Sequence, residues 1–464
     1  MSEQNYNEVS EKKPANVLVI GAARSGLAAS RLMRKQNENV TLTDQKKIDE
    51  KEELEEQGIR VFDEGHPQTL FEEDFDYVVK NPGIPYRAPL VAHFVSKGTP
   101  VYTEIETAYL AAPQYAYAAI TGTDGKTTTV TLLHEMLREK NPKAKAAGNI
   151  GVPLSEIVLE EGNKPLDIAL ELSNFQLLGT KQFRPHVSAI TNLAPDHLDY
   201  MNSLEDYYLS KFRILKNQRA EDYFILNTDD PVIMEYFSQF EEAPVSVIRF
   251  SLRDPEADLS VSPQSGDVTL FDTVLFNRND LKLVGDFNLG NAMMAAASAY
   301  LMGVTPEQIQ NVIQTFPGVE HRIEYVTEKD GVRYYNDSKA TNTHSAEAAL
   351  SSFDGSLRLL CGGKNKGIDY SVLKKYDDRI AHCYSFGQIR DLFSDIFSHQ
   401  SSHETMEDAL DAAMADAKSG DVILLCPATS SFDQFKNYEV RGEIFKDLVR
   451  KKTGLQGKEN LNND

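Results

Sequence analysis

Short runs of consecutive apolar residues recur along the chain. Each ends in a loop rich in Gly, Asn, Asp or Pro, and most lead into a stretch with apolar residues at helical spacing. Residues 16–20 (NVLVI), 40–43 and 77–79 predict three buried strands, and the first is followed by the helical run LAASRLMRK. A second series comprises residues 117–120, 167–172 (DIALEL), 187–191 and 224–227. Amphipathic helices are expected over 126–138 and 202–216. A β-rich stretch extends to about residue 283, and an Ala- and Met-rich helix follows. A third series is 332–335, 357–361 and 421–425. Strands alternating with helices predict α/β units built on mostly parallel sheets. Ala111-Ala112-Pro113 and Phe316-Pro317-Gly318 read as hinges. The expected division is therefore a Rossmann-like N-terminal domain (1–112), a central P-loop ATPase-type α/β domain (113–317) and a C-terminal Rossmann-like α/β domain (318–464).

The loops after these strands carry the candidate chemistry. GTDGKTT, at Gly122, Thr123, Asp124, Gly125, Lys126, Thr127 and Thr128, resembles a shortened P-loop, with Ile120 where the full pattern has glycine. In such a loop backbone N–H groups cradle phosphates, the lysine neutralises terminal phosphate charge and the Thr127 hydroxyl holds Mg2+. The helix behind it presents its positive end to the same place. In the first domain, Ala23 replaces the second glycine of G-x-G-x-x-G, which disfavours a dinucleotide and favours another diphosphate. Asp44 ends the second strand, where a ribose-reading acid belongs in such a unit. Asn81-Pro82-Gly83-Ile84-Pro85 is either a ligand-side loop or a simple turn.

Glu171 and His197 follow successive strands on the P-loop side, where a Mg2+ or phosphoryl-transfer site needs a carboxylate and an imidazole. Lys211, on a predicted helix, reads as an ordinary solvated lysine. Asn288 and Asn291 lie one helical turn apart, so they either face one ligand together or Asn288 caps the helix. The third series delivers NDSKATN (336–342), GGKNKG (362–367) and CPATSSFDQFKNY (426–438), three junctions rich in donors and cations that predict an anion-binding rim.

Composition narrows the class. A formal net charge of -22 over 464 residues argues against a general nucleic-acid or anionic-membrane binder, although local basic pockets remain compatible with it. Three cysteines without metal-like spacing fit a reducing compartment and read as core thiols. The polar N-terminus lacks an apolar signal region, and the longest apolar stretch is too short to span a bilayer. A cytoplasmic protein without membrane insertion is expected.

GTDGKTT, GNIG (148–151), ELSNFQL (171–177), the His197 segment, NTDD (227–230), HRIE (321–324), NDSKATN and DQFKNYEVRG together resemble the Mur ligase family, in order and through almost the whole chain. The resemblance implies an ATP-dependent, ADP-forming amide ligase of cell-wall precursor synthesis. NDSKATN and SFDQFKNYEVRG point to addition of D-glutamate to UDP-N-acetylmuramoyl-L-alanine through an acyl phosphate. A partner amino acid other than D-glutamate is the nearest alternative, and a non-catalytic sugar-nucleotide binder is the alternative from another class.

The resemblance implies the following roles. Lys126 holds ATP phosphates; Thr127, Glu171, His197 and Lys211 hold Mg2+, with Lys211 as a CO2-derived carbamate. Asn288, Asn291, Arg322 and Asp337 address ATP. Arg24, Ser25, Asp44, Asn149 and Ser173 address the UDP-sugar. Lys339, Thr341, Lys366, Ser431 and Tyr438 address D-glutamate. Closure about the second hinge and a monomeric state are expected. Three residues depart from the family pattern: Asp124 where Asn is usual, Asn174 where Ser is usual, and Tyr438 where Phe is common.

Overall fold

A computed structural model describes residues 13–195, 201, 203–353 and 355–454, and in it the chain forms two compact units. The described residues within 1–251, 257–259 and 294–305 form the first, and those within 252–256, 260–293 and 306–464 the second. No helix among the described residues is long and apolar enough to cross a membrane.

Unit one contains a five-stranded sheet of β1 (Asn16–Ile20), β2 (Asn39–Thr43), β3 (Arg60–Phe62), β4 (Tyr77–Lys80) and β5 (Val101–Tyr102), in the order β3-β2-β1-β4-β5. Its pairings are parallel, with Val17 opposite both Val40 and Tyr77. Strand order reverses between β1 and β4, so the loops after them adjoin at the carboxyl edge, where open α/β sheets collect ligands. Gly21 has φ +99, and a Cβ there would lie 2.8 Å from both Asn81 Cβ and Ile84 Cδ1. Only glycine lets the two loops interlock this closely.

The second sheet of unit one has a parallel portion ordered β7-β8-β6-β9-β10-β11. Its strands are β6 (Ala116–Thr121), β7 (Lys145–Gly148), β8 (Asp167–Glu171), β9 (Val187–Ile190), β10 (Tyr223–Asn227) and β11 (Ser246–Phe250). Beyond it, Phe250 pairs with Leu259 at the start of β12 (Leu259–Val261). Central strands buried on both faces read as near-continuous apolar runs, which is why residues 117–120 and 168–170 were legible. One continuous core includes Val17, Ile105, Tyr117, Leu154, Ile168 and Phe212.

Buried acids pin the chain between these sheets. Glu106, fully buried, accepts the backbone N–H groups of Lys181 (2.8 Å), Gln182 (2.7 Å) and Phe183 (3.1 Å). Glu104 accepts the N–H of Ser155, and burial pushes its carboxyl up to about 7.

Unit two holds an antiparallel ribbon of β13 (Asp267–Leu270) and β14 (Thr273–Asn277). Its sheet runs β15-β16-β20-β17-β18-β19, from β15 (Glu324–Lys329), β16 (Val332–Asn336), β17 (Leu357–Gly362), β18 (Ile380–Phe386), β19 (Gln400–His403) and β20 (Val422–Leu425). Only β15 is antiparallel to its neighbour. Apolar clusters cover both faces. Cys361, Cys383 and Cys426 are free and buried in this core, and desolvation raises each thiol well above its ordinary range.

Glu106→Leu strands three backbone donors, and a buried donor left unpaired costs about 1–3 kcal/mol. Urea unfolding followed by far-ultraviolet circular dichroism should show a clearly lower midpoint for this variant, because the chain has no tryptophan to report instead. An unchanged midpoint would show that those N–H groups find water.

Candidate active site

In unit one the carboxyl ends of β6, β8 and β9 converge. The shortened P-loop bridges β6 and the helix Lys126–Lys140, with Gly125 in the left-handed region as its N-cap. Gly122 has φ +146, and a Cβ there would fall 1.9 Å from Thr191 Oγ1. Its carbonyl accepts Lys126 Nζ at 2.9 Å and Lys211 Nζ at 2.7 Å. Lys126 also donates to Thr123 O at 2.6 Å. Two ammonium groups on one carbonyl make a strong local demand for an anion.

Lys211 is not a solvated helix lysine, as its position in the sequence suggested. It is 1% exposed, on the helix Leu204–Phe212, with its ammonium 4.6 Å from the Tyr207 ring centre.

Glu171 is equally buried. Oε1 accepts Asn149 Nδ2 at 2.8 Å, while the buried Oε2 takes no hydrogen bond from any described residue. An orphaned carboxylate oxygen at the carboxyl edge beside a phosphate-type loop fits a hard divalent cation. Gly148 brings the two strands together, since a Cβ there would lie 2.1 Å from Glu171 O. Thr127 follows Gly125 and Lys126 in the first turn of the P-loop helix, and Thr128, the next residue, is buried. His197 lies outside the described residues.

Asp124, the departure in the loop, is held through its backbone. Its N–H donates to Asn192 Oδ1 at 3.0 Å, and its carbonyl accepts Thr191 Oγ1 at 2.5 Å and Asn192 Nδ2 at 3.0 Å. The exposed carboxylate is therefore dispensable to the loop's shape. Thr123 is likewise tied to Ala194 O at 3.1 Å. Nothing in the sequence signalled this role for Thr191, the last residue of the strand expected over 187–191, or for Asn192, which follows it.

The residues expected to meet the UDP-sugar lie mostly at the first sheet's edge. Asp44 accepts Ala22 N at 2.6 Å and Lys46 N at 2.8 Å, so it shapes both loops. Ser25 accepts Asn81 Nδ2 at 3.1 Å, and Arg24 is exposed at the helix start. Ser173 is the N-cap of a short helix, Asn174–Leu178, in a capping box with Gln176. Asn149 is on the second sheet, against Glu171.

In unit two, β16, β17 and β20 deliver the other predicted groups. His321 and Ile323 adopt positive φ, a strained turn that places Ile323 N 3.2 Å from Asp337 Oδ1. Asp337 is buried, and desolvation raises its carboxyl to about 7 despite that N–H and the nearby Arg322. Arg322 keeps a buried Nε with no hydrogen-bond partner among the described residues. Lys339 Nζ sits 5.9 Å from the Tyr438 ring centre. Lys366 Nζ donates to Thr341 O at 3.1 Å, and Ser431 is buried within the loop that follows β20.

Arg441 fastens this edge: Nε donates to Ser338 Oγ at 2.9 Å and Nη2 to the carbonyls of Ser338 and Thr429. Asn288 lies inside the helix Asp286–Leu301, where its Nδ2 donates to Val284 O at 2.8 Å, a carbonyl just ahead of the helix, and Asn291 lies one turn on with its Nδ2 3.4 Å from Asn288 Oδ1.

Residues 120–299 match the Mur ligase middle domain and residues 321–429 the Mur ligase glutamate ligase domain. The UDP-N-acetylmuramoylalanine--D-glutamate ligase of Listeria monocytogenes serotype 4b (strain F2365) is 38% identical, covering 93% of this chain and 96% of its own. The enzyme of that name from Geobacillus kaustophilus (strain HTA426) is 41% identical over 94% and 97%. Among solved structures, a UDP-N-acetylmuramate-alanine ligase from Thermotoga maritima aligns over 94% of this chain and 100% of its own, with TM-score 0.51 and 17% identity. A pseudomurein peptide ligase type C from Methanothermus fervidus aligns over 94% and 99%, with TM-score 0.51 and 18% identity. At that identity these likenesses show the fold.

Gly122→Ala should weaken binding of a fluorescent Mg2+-nucleotide about ten-fold or more, because the new methyl displaces Thr191 and with it the backbone clamp on Asp124. Unaltered affinity would mean that the loop tolerates another path. Asp337 has a raised folded-state pKa, so its stabilising contribution is full below about 4 and is lost as pH rises through about 7. Thermal melts of wild type and Asp337→Asn from pH 4 to 8 should show the wild type losing more stability over that window. Parallel curves would contradict the burial argument.

Proposed function

The chain belongs to the Mur ligase family, and on that premise we propose that it joins D-glutamate to UDP-N-acetylmuramoyl-L-alanine while converting ATP to ADP and phosphate. The observation that carries this reading is near-full-length identity of 38–41% to enzymes of that name, together with a P-loop whose neighbours form an anion and cation site.

In this reading the N–H groups at the start of the helix Lys126–Lys140, with Lys126, hold the terminal phosphates. The L-alanyl carboxylate attacks the γ-phosphorus, forming an acyl phosphate and releasing ADP. The D-glutamate amine then attacks the acyl carbon, and the tetrahedral adduct expels phosphate and leaves the amide. Each step brings an anion toward another, so the chain contributes mainly positioning and charge neutralisation. Bound Mg2+, held by Thr127, Glu171, His197 and a carbamylated Lys211, would supply further neutralisation.

Carbamylation is compatible with the local geometry, since a carbamate nitrogen keeps one N–H for Gly122 O. It would exchange the contact with the Tyr207 ring for a carboxylate. Asn288, Asn291, Arg322 and Asp337 serve ATP in this reading. Lys339, Thr341, Lys366, Ser431 and Tyr438 serve the two carboxylates of D-glutamate. The divisions near residues 112 and 317 separate the parts for UDP-sugar, ATP and amino acid. A cytoplasmic location, where ATP is available, accompanies it.

Phosphate release from purified protein should require ATP, Mg2+, UDP-N-acetylmuramoyl-L-alanine and D-glutamate together. Release indifferent to D-glutamate, or faster with another amino acid, overturns the assignment. Lys211→Ala should abolish most turnover, by about 100-fold or more, and the intact wild type should carry the extra mass of CO2. Full activity in the variant removes Lys211 from the site.

A further inference from the structure

Lys80 ends β4 with a charged side chain that is 1% exposed. Burial of an ammonium group is costly unless polar atoms surround it. Here Nζ donates to Ile84 O at 2.9 Å and Pro82 O at 3.3 Å, lies 3.5 Å from Asn81 O, and sits 4.7 Å from the Tyr86 ring centre. Residues 81–86 are thus wound around one cation. The same loop is tied outward by Asn81 Nδ2 to Ser25 Oγ, and Gly83 N donates to Asn81 Oδ1 at 3.1 Å.

This loop is the wall between two cavities of unit one. On one side, Gly83, Ile84 and Pro85 line a cavity of about 600 Å3 together with Gly21, Asp44 and His66. On the other, Pro85, Tyr86 and Arg87 line a cavity of about 430 Å3 with Asp206 and Arg213. We propose that Lys80 is a positioning residue for the UDP-sugar: by turning three loop carbonyls inward it holds the wall 83–87 in the form that the sugar nucleotide grips. It does not touch the reacting atoms. The inference rests on the UDP-sugar reading above.

Calorimetric titration of the full chain with UDP-N-acetylmuramoyl-L-alanine, without ATP, tests it beside steady-state kinetics. Lys80→Met keeps the length and loses the charge. It should weaken binding of the UDP-sugar and raise its KM about ten-fold, with kcat and the KM values for ATP and D-glutamate within about two-fold of wild type. A merely structural defect would instead lower kcat for all substrates through a smaller active fraction. Tyr86→Leu removes the ring and should shift the same KM in the same direction by a smaller factor; it decides the matter if Lys80→Met does not fold. Wild type that fails to bind the UDP-sugar overturns the functional reading itself. Wild type that binds, with folded variants binding equally well, overturns only the role of Lys80.

Discussion

The carbonyl of Gly122 is the point on which the phosphate side of the site depends. It accepts two buried or half-buried lysines, Lys126 from the loop's own helix and Lys211 from a helix some ninety residues later in the chain. That geometry is open only to glycine, because φ is +146 and the Thr191 hydroxyl occupies the space of a Cβ. Thr191 in turn holds the carbonyl of Asp124, and Asn192 holds both its N–H and its carbonyl. The loop is therefore set in place by protein contacts. Donors placed in advance lower the reorganisation needed when charge develops beside them.

Strands whose ends carry chemistry were legible because they are central and buried on both faces, as with residues 16–20, 187–191 and 421–425. Edge elements were not. β3 has three residues beginning with Arg60, β5 has two, and β7 is KAAG, with no branched side chain to signal a strand. A different limit hid β18, which lies between β17 and β19 but whose apolar run is interrupted by His382 and Ser385.

Site residues divide along a similar line. Lys126 and Glu171 were legible from loop type and strand end, while the resemblance to a family was needed to single out Lys211, since a helical sequence does not reveal that its lysine is buried beneath a carbonyl formed elsewhere. Asn192, Arg441 and Lys80 act through backbone atoms, and no motif spacing records such a bond. Asp124 looked anomalous in sequence for the converse reason. The loop uses its main chain, and its carboxylate faces solvent.

Buried acids show how packing separates scaffold from chemistry. Glu106 receives three backbone N–H groups and closes a connection that nothing else needs to enter. Glu171, buried to the same degree, satisfies one oxygen with Asn149 and leaves the other without a donor among the described residues. Desolvating a carboxylate oxygen and giving it no partner costs about 1–3 kcal/mol or more, so such an atom persists only where something compensates. Arg322 presents the complementary case in unit two, a buried guanidinium Nε with no acceptor among those residues. One orphan calls for a cation and the other for an anion. Each unit thus leaves one such group without a partner among its described residues, a carboxylate oxygen in the first and a guanidinium nitrogen in the second.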